Sequence, residues 1–218
     1  RHALGVIRIL AEHQLPLHVS ELLAAANDTF PKGVLLAQHE RKTGAVPNTV
    51  EATNFVIERA KSYLRELGYS VLEVESVIDL APRPLEYVSR LEAARQFLKL
   101  PESAGLAEAD KRIRNILSKS GAAASAAKAD TNLLKQIEEH QLLTKTRELQ
   151  GQVDQMLAQQ KFSDALLATA QLHQPVTKFF DKVMVNAEDA ALRDNRFALL
   201  REVAHPTNQV VNISKLAT

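Results

Sequence analysis

The sequence predicts an all-α protein, a helical bundle preceded by a smaller helical region. Three observations carry this. Leu, Ala, Glu, Lys and Gln dominate a 218-residue chain in which aromatic residues make up only 5%, and these side chains lose little on entering a helix. Apolar residues recur at three- and four-residue spacing along most of the chain, with no apolar–polar alternation long enough for a strand. The 8 prolines and 7 glycines fall mostly between periodic segments, where they punctuate helices.

Leu4, Ile7, Leu10 and Ala11 form the apolar face of a first helix that stops near Pro16. Ser20 caps a short second helix carrying Leu22 and Leu23, since its hydroxyl suits an unpaired backbone N–H. Residues 27–47, with Pro31, Gly33, Gly44 and Pro47, read as a loop around a short helix. Asn48 or Thr49 caps a longer helix bearing Phe55, Val56, Ala60 and Leu64. Gly68 ends it as a left-handed terminator and leaves Tyr69 to pack back. Val71, Val74, Val77 and Ile78 support another helix up to Pro82-Arg83-Pro84, a Pro-x-Pro that forbids helix on both sides. The boundary belongs there, with residues 1–85 as the first region and residues 86–218 as the bundle.

In the second region Val88, Leu91, Ala94 and Leu98 make a helix closed by Pro101. Leu106, Ala109, Ile113, Ile116 and Leu117 line the next. Residues 120–130, rich in Ala and Ser, are a flexible connection or an insertion; composition does not decide which. Leu134, Ile137, Leu142, Leu149, Val153 and Met156 support one long helix or a hairpin of two. Ser163 caps a helix with Leu166, Leu167 and Ala170. Pro175 stands at a helix start, where its missing N–H costs nothing. The last helix, over 187–203, is followed by Pro206, which should break or restart it.

Whole-chain numbers exclude several functions. Lys and Arg total 27 against 26 Asp and Glu, so a uniformly basic nucleic-acid binder is excluded and any RNA surface is a local patch. Zero cysteines rule out disulfides, zinc–thiolate sites and thiol catalysis. Seven histidines are scattered without metal-ligand spacing. No phosphate-cradling glycine loop or nucleophile elbow occurs, so neither a catalytic nor a metal site is expected. No apolar run approaches the roughly 18 residues a membrane span needs, and a cytoplasmic location is expected. The chain starts at Arg1 inside an apolar periodic segment and reads as the C-terminal piece of something longer.

Two segments carry candidate chemistry. On the helix around 106–119, Lys111, Asn115 and Lys119 recur at i, i+4 and i+8, opposite the apolar face, with Arg112 on the flank. Lysines there suit phosphates and asparagine suits a base edge or ribose; on spacing alone the face also reads as ordinary solvated surface. Near the C-terminus stands a tight Leu192-Arg193-x-Asn195-Arg196 cluster. Leu192, Leu199 and Val203 define an inward stripe, and Arg196 projects within about 40° of it. A guanidinium so close to the core needs a carboxylate. Asp181 is the expected partner, with Asp189 as runner-up, which leaves Arg193 for RNA. Phe179, Phe180, Val183, Met184 and Val185 read as core; Phe197 projects away from the Leu192 stripe and reads as the partly exposed aromatic, packed on a neighbouring helix in preference to stacking on a splayed base.

The block Pro175–Leu200, above all Phe179–Leu200, closely resembles the C-terminal end of the bacterial glycyl-tRNA synthetase β subunit family. Asp110-Lys-Arg-Ile-Arg-Asn-Ile-Leu117 resembles the family's Asn-Lys-Arg-x-x-Asn-Ile-Leu segment, with an acid in place of the usual asparagine. The resemblance also takes in Ala3–Leu10 and Arg90-Leu-Glu-Ala-Ala. It implies an anticodon-binding helical bundle of the DALR kind, similar to that of arginyl-tRNA synthetase, behind the tail of an HD-phosphohydrolase-like domain over 1–85. It further implies tRNA(Gly) and the synthetase α subunit as partners, with neither membrane nor DNA. ATP and Mg serve the holoenzyme on the α subunit, and this fragment is expected to hold no cofactor. Lys111, Arg112, Asn115, Lys119 and Arg193 are then the expected RNA contacts. The rival readings are a helical protein-interaction scaffold and a degenerate phosphohydrolase.

Overall fold

The computed structural model describes residues 2–29, 49–80, 82–121 and 127–217, and every regular element among them is helical. The loop expected over 27–47 and the middle of the 120–130 segment lie largely outside the described residues. By contacts the chain divides into two units: Arg1–Val74 with Ala81–Val88, and Glu75–Leu80 with Ser89–Thr218.

The first unit contains α1 (His2–Glu12), α2 (Val19–Asp28), α3 (Thr49–Glu66) and the 3-10 turn Pro84–Glu86. α3 packs on α1 and α2 through Val56, Ala60 and Leu64, which meet Ile7, Leu10 and Val19 in a small core. Two details differ from expectation. The residue flanking α2 is His18, whose N–H donates to Glu21, so Ser20 lies inside the helix. Phe55 is exposed and carries the Arg59 guanidinium 5.1 Å from its ring centre. Gly68 ends the α3 segment at φ +90°, and Tyr69 donates back to the Leu64 carbonyl and is buried. α4 (Val71–Ile78) starts in this unit, where Ser70 and Glu73 cap each other, and its last turn belongs to the second.

The second unit holds α5 (Tyr87–Leu98, from Ser89 on), α6 (Ser103–Lys119), α7 (Ile137–Ala158), α8 (Phe162–Thr169), α9 (His173–Lys182) and α10 (Ala190–Thr207). α7 is one long helix, and α8 begins at Phe162, one residue before the expected Ser163 cap. α10 is the axis of this unit. It packs on α6, α7 and α8, and residues 195–200 are buried without a break. That corrects the expectation for Phe197: with neighbours on several sides, the helix has no outward face there.

Pro206 does not break α10, which continues through it to Thr207. The carbonyls near this end are satisfied by side chains: Thr207 Oγ1 and Asn208 Nδ2 both donate to the Ala204 oxygen. The tail then returns through buried Val210, Val211 and Ile213. Asn212 is held by Asp79 and by the Ser76 carbonyl, and Arg90 donates to the carbonyls of Gln209 and Val210.

Candidate nucleic-acid interface

α6 buries Leu106, Ala107, Asp110, Ile113 and Leu117, a three- and four-residue rhythm that turns Lys111, Asn115 and Lys119 outward. With Glu108, Arg112, Ile116, Ser120 and Asn186 they line an open groove of about 530 Å³. Lys111, Arg112, Asn115 and Lys119, singled out from the sequence, are thus brought together. Asn186 joins them from the loop after α9; no spacing in the sequence signals a residue that arrives from a loop 66 positions beyond Ser120.

The groove is cationic and rich in amides. The Arg112 guanidinium lies 4.0 Å from the Phe180 ring centre, and Phe180 meets Phe179 edge-on at 5.5 Å. That stack engages one face of the guanidinium and fixes a flexible side chain at the rim. Lys111 approaches Glu108 at 3.9 Å, an exposed pair of little energetic weight. Among the described residues Lys119 has no ion pair, and the amides of Asn115 and Asn186 make no hydrogen bond.

Asp110, the acid next to Lys111, points the other way. It is buried and accepts from Arg114, Thr207 and Asn208, tying α6 to the end of α10. Burial pushes its carboxyl above the ordinary range, against the pull of the Arg114 charge and the hydrogen bonds from Asn208, Arg114 and Thr207.

The Leu192–Arg196 cluster turns inward. Arg196 pairs with Glu139 of α7, Nε to Oε1 at 2.7 Å, and its Nη1 donates to the Met184 carbonyl at 2.7 Å. Asp181 is exposed and is not its partner, and Asp189 instead caps α10 by accepting from the Leu192 N–H. Arg196 faces α7, not the preceding helix, so the carboxylate expected from the sequence is on the wrong side. Glu139 had a signal: it is in register with Leu142, Leu143, Thr146, Leu149 and Val153 on the buried stripe of α7. Burial would raise its carboxyl, but hydrogen bonds from Arg196 and from the Lys135 and Gln136 N–H groups outweigh that and hold it below its ordinary value. Asn195 makes a two-point pair with the Asp130 backbone, 2.7 and 2.9 Å. Arg193 is half-buried, donates to the Ala187 carbonyl at 3.2 Å and does not line the groove.

A larger groove of about 750 Å³ lies between α7 and α10. Its charges largely answer one another: Arg147 grips Glu202 at 2.8 and 2.9 Å, and Gln150 bonds both His205 and Asp154. Its lining sets two acids, Asp154 and Glu202, among Lys128, Arg147 and Arg201, whereas Glu108 is the single acid beside the three cations of the α6 groove. No group of His, Asp or Glu among the described residues is arranged to hold a metal ion, and no described helix is long and apolar enough to cross a membrane.

Residues 106–214, half of the chain, match the family described as the DALR anticodon binding domain. The chain belongs to the DALR anticodon-binding domain family. Along all 218 residues it is 42% identical to the glycine–tRNA ligase beta subunit of Janthinobacterium sp. (strain Marseille) and 42% identical to that of Methylobacillus flagellatus, in each case 29% of the relative's length. It is 40% identical over 222 aligned positions to the glycine–tRNA ligase beta subunit of Nitrosomonas europaea, 31% of that protein. The chain therefore spans less than a third of the relatives it matches. The DALR match contains the whole α6 groove and the Leu192–Arg196 cluster.

Proposed function

We propose that this chain is the C-terminal, tRNA-binding part of a glycine–tRNA ligase β subunit, and that the α6 groove receives the anticodon loop of tRNA(Gly). The observation that carries this is the gathering of Lys111, Arg112, Asn115, Lys119 and Asn186 around one open groove inside a DALR domain. Lysine and arginine neutralise loop phosphates there, and the asparagine amides hydrogen-bond the edges of unstacked bases. Arg193 contributes by holding the loop that carries Asn186. Residues 1–85 belong to the tail of an HD-like domain. Glycine activation, with ATP and Mg, takes place on a partner α subunit in the cytoplasm, and this part binds without bond chemistry.

The test is a salt titration of binding between the full chain and the anticodon stem-loop of tRNA(Gly). Affinity should fall steeply as salt rises and should drop when the anticodon bases are changed. Absence of binding at every salt concentration would replace this reading with a protein-docking scaffold.

A further inference from the structure

Residues 183–186, which open the segment between α9 and α10, alternate in and out. Val183 and Val185 are 5% and 8% exposed, whereas Met184 is 73% exposed, more than any other large apolar side chain among the described residues. Asn186 is exposed and lines the α6 groove. Val183 has extended dihedrals, φ −107° and ψ 120°. The chain then bends over Val185 and Asn186, where the Ala187 N–H donates to the Val185 carbonyl at 3.0 Å, so that Met184 and Asn186 stand on the solvent-facing side of a turn whose Val183 and Val185 are buried.

Two guanidinium groups grip the backbone behind that face. Arg196 donates to the Met184 carbonyl at 2.7 Å, and Arg193 donates to the Ala187 carbonyl at 3.2 Å. Arg196 is itself fixed by Glu139, which also accepts from the Lys135 and Gln136 N–H groups at 2.8 Å. A thioether held out in water adds nothing to the core. A backbone fixed from behind on both sides of Asn186 presents these two side chains with little ordering left to do on binding.

We infer that Met184 and Asn186 form a subsite for one unpaired RNA base at the edge of the α6 groove. The thioether packs on the flat face of the base and the amide reads its edge. This rests on the RNA-binding reading above. Every base offers a π-face, and a polarizable sulfur suits it. Aromatic platforms are not on offer nearby: Phe180 lies under Arg112 and Phe197 is buried. The cations of Lys111, Arg112 and Lys119 supply the phosphate side of the same groove, with Glu108 the single acid in its lining. Arg193 and Arg196 are then positioning residues.

The test measures binding of the full chain to the anticodon stem-loop of tRNA(Gly), with abasic substitutions walked through the loop. Met184→Ala should weaken binding roughly 2- to 12-fold, the range for loss of a thioether contact with an aromatic ring. Its thermal unfolding and its salt slope should stay as in the parent. Met184→Leu should retain most of the affinity, and Met184→Ala should become indifferent to one abasic position to which the parent is sensitive. Asn186→Ala should weaken binding and blur discrimination at that same position. If the parent binds with salt-dependent affinity while Met184→Ala and Asn186→Ala bind equally well, the subsite is overturned and the groove assignment rests on Lys111, Arg112, Asn115 and Lys119 alone. If the parent does not bind the stem-loop at all, both fall.

Discussion

Arg196 and Glu139 form an ion pair closed off from solvent, 2.7 Å long, with side chains 5% and 0% exposed. The pair joins α10 to the first turn of α7, and the second arm of the guanidinium fixes the loop before α10 through the Met184 carbonyl.

Removing one partner of such a pair leaves an uncompensated charge in the core, which costs about 3–5 kcal/mol. Arg196→Ala and Glu139→Ala should each destabilise the fold by that amount in urea unfolding. A double-mutant cycle should show strong coupling between them. Asp181→Ala, at an exposed position, should change stability by less than about 0.5 kcal/mol and show no coupling to Arg196.

The same pair sets the acid response. Glu139 titrates below its ordinary value of 4.5. Glu202 does too: burial raises it, but Arg147, the Ala129 N–H and the charge of Lys128 prevail. A carboxyl lowered by folding stabilises the fold above its unfolded value, and that contribution is lost as pH falls through the folded value. Asp110, raised above 3.8 by burial, has the opposite sign: its contribution is greatest below that value and shrinks as pH rises through the raised one. Urea midpoints measured from about pH 6 to pH 3 should fall steeply below about pH 4.5. Glu139→Gln should begin lower and fall less, so that the two curves converge in acid.

What the sequence disclosed, and what it withheld, follows the range of the interactions. Helices announced themselves through spacing within one turn, and Gly68 ends α3 by its own backbone freedom. The Lys111–Asn115–Lys119 face was legible because one exposed helix surface carries it. The partner of Arg196 was not, because Glu139 lies 57 residues away and helix docking alone decides which carboxylate meets the guanidinium. Phe197 was misplaced for a related reason. A projection assumes one inward face, and α10 is buried all round over 195–200. Asn186 and Met184 sit in a loop whose direction comes from two arginine contacts.

Asn195 holds the segment before α7 by accepting from the Asp130 N–H and donating to its carbonyl. Ala129 is secured next to it by Glu202 and Arg147. Asn195→Ala removes two hydrogen bonds, each worth about 0.5–1.5 kcal/mol net, and unlocks one end of that segment. Hydrogen exchange should quicken at the Asp130 amide and its neighbours, with α6 protection unchanged. Equal loss of protection throughout the second unit would mean that Asn195 supports the whole core instead.

The lysines of α6 can be told from a generic basic surface by number as well as by sign. Each phosphate neutralised on a single strand contributes about −0.7 to the slope of log K against log salt. Lys111→Ala and Lys119→Ala should each lower affinity for the tRNA(Gly) anticodon stem-loop and each flatten that slope by about 0.7. Asn115→Ala should lower affinity and leave the slope alone, because an amide releases no counterion. Arg112→Ala should do both, and should also cost about 0.5–1 kcal/mol of stability by uncovering Phe180. A comparable slope change on replacing Lys161 or Lys215, exposed lysines outside the groove, would show that RNA sees only the diffuse charge of the domain and would dissolve the site.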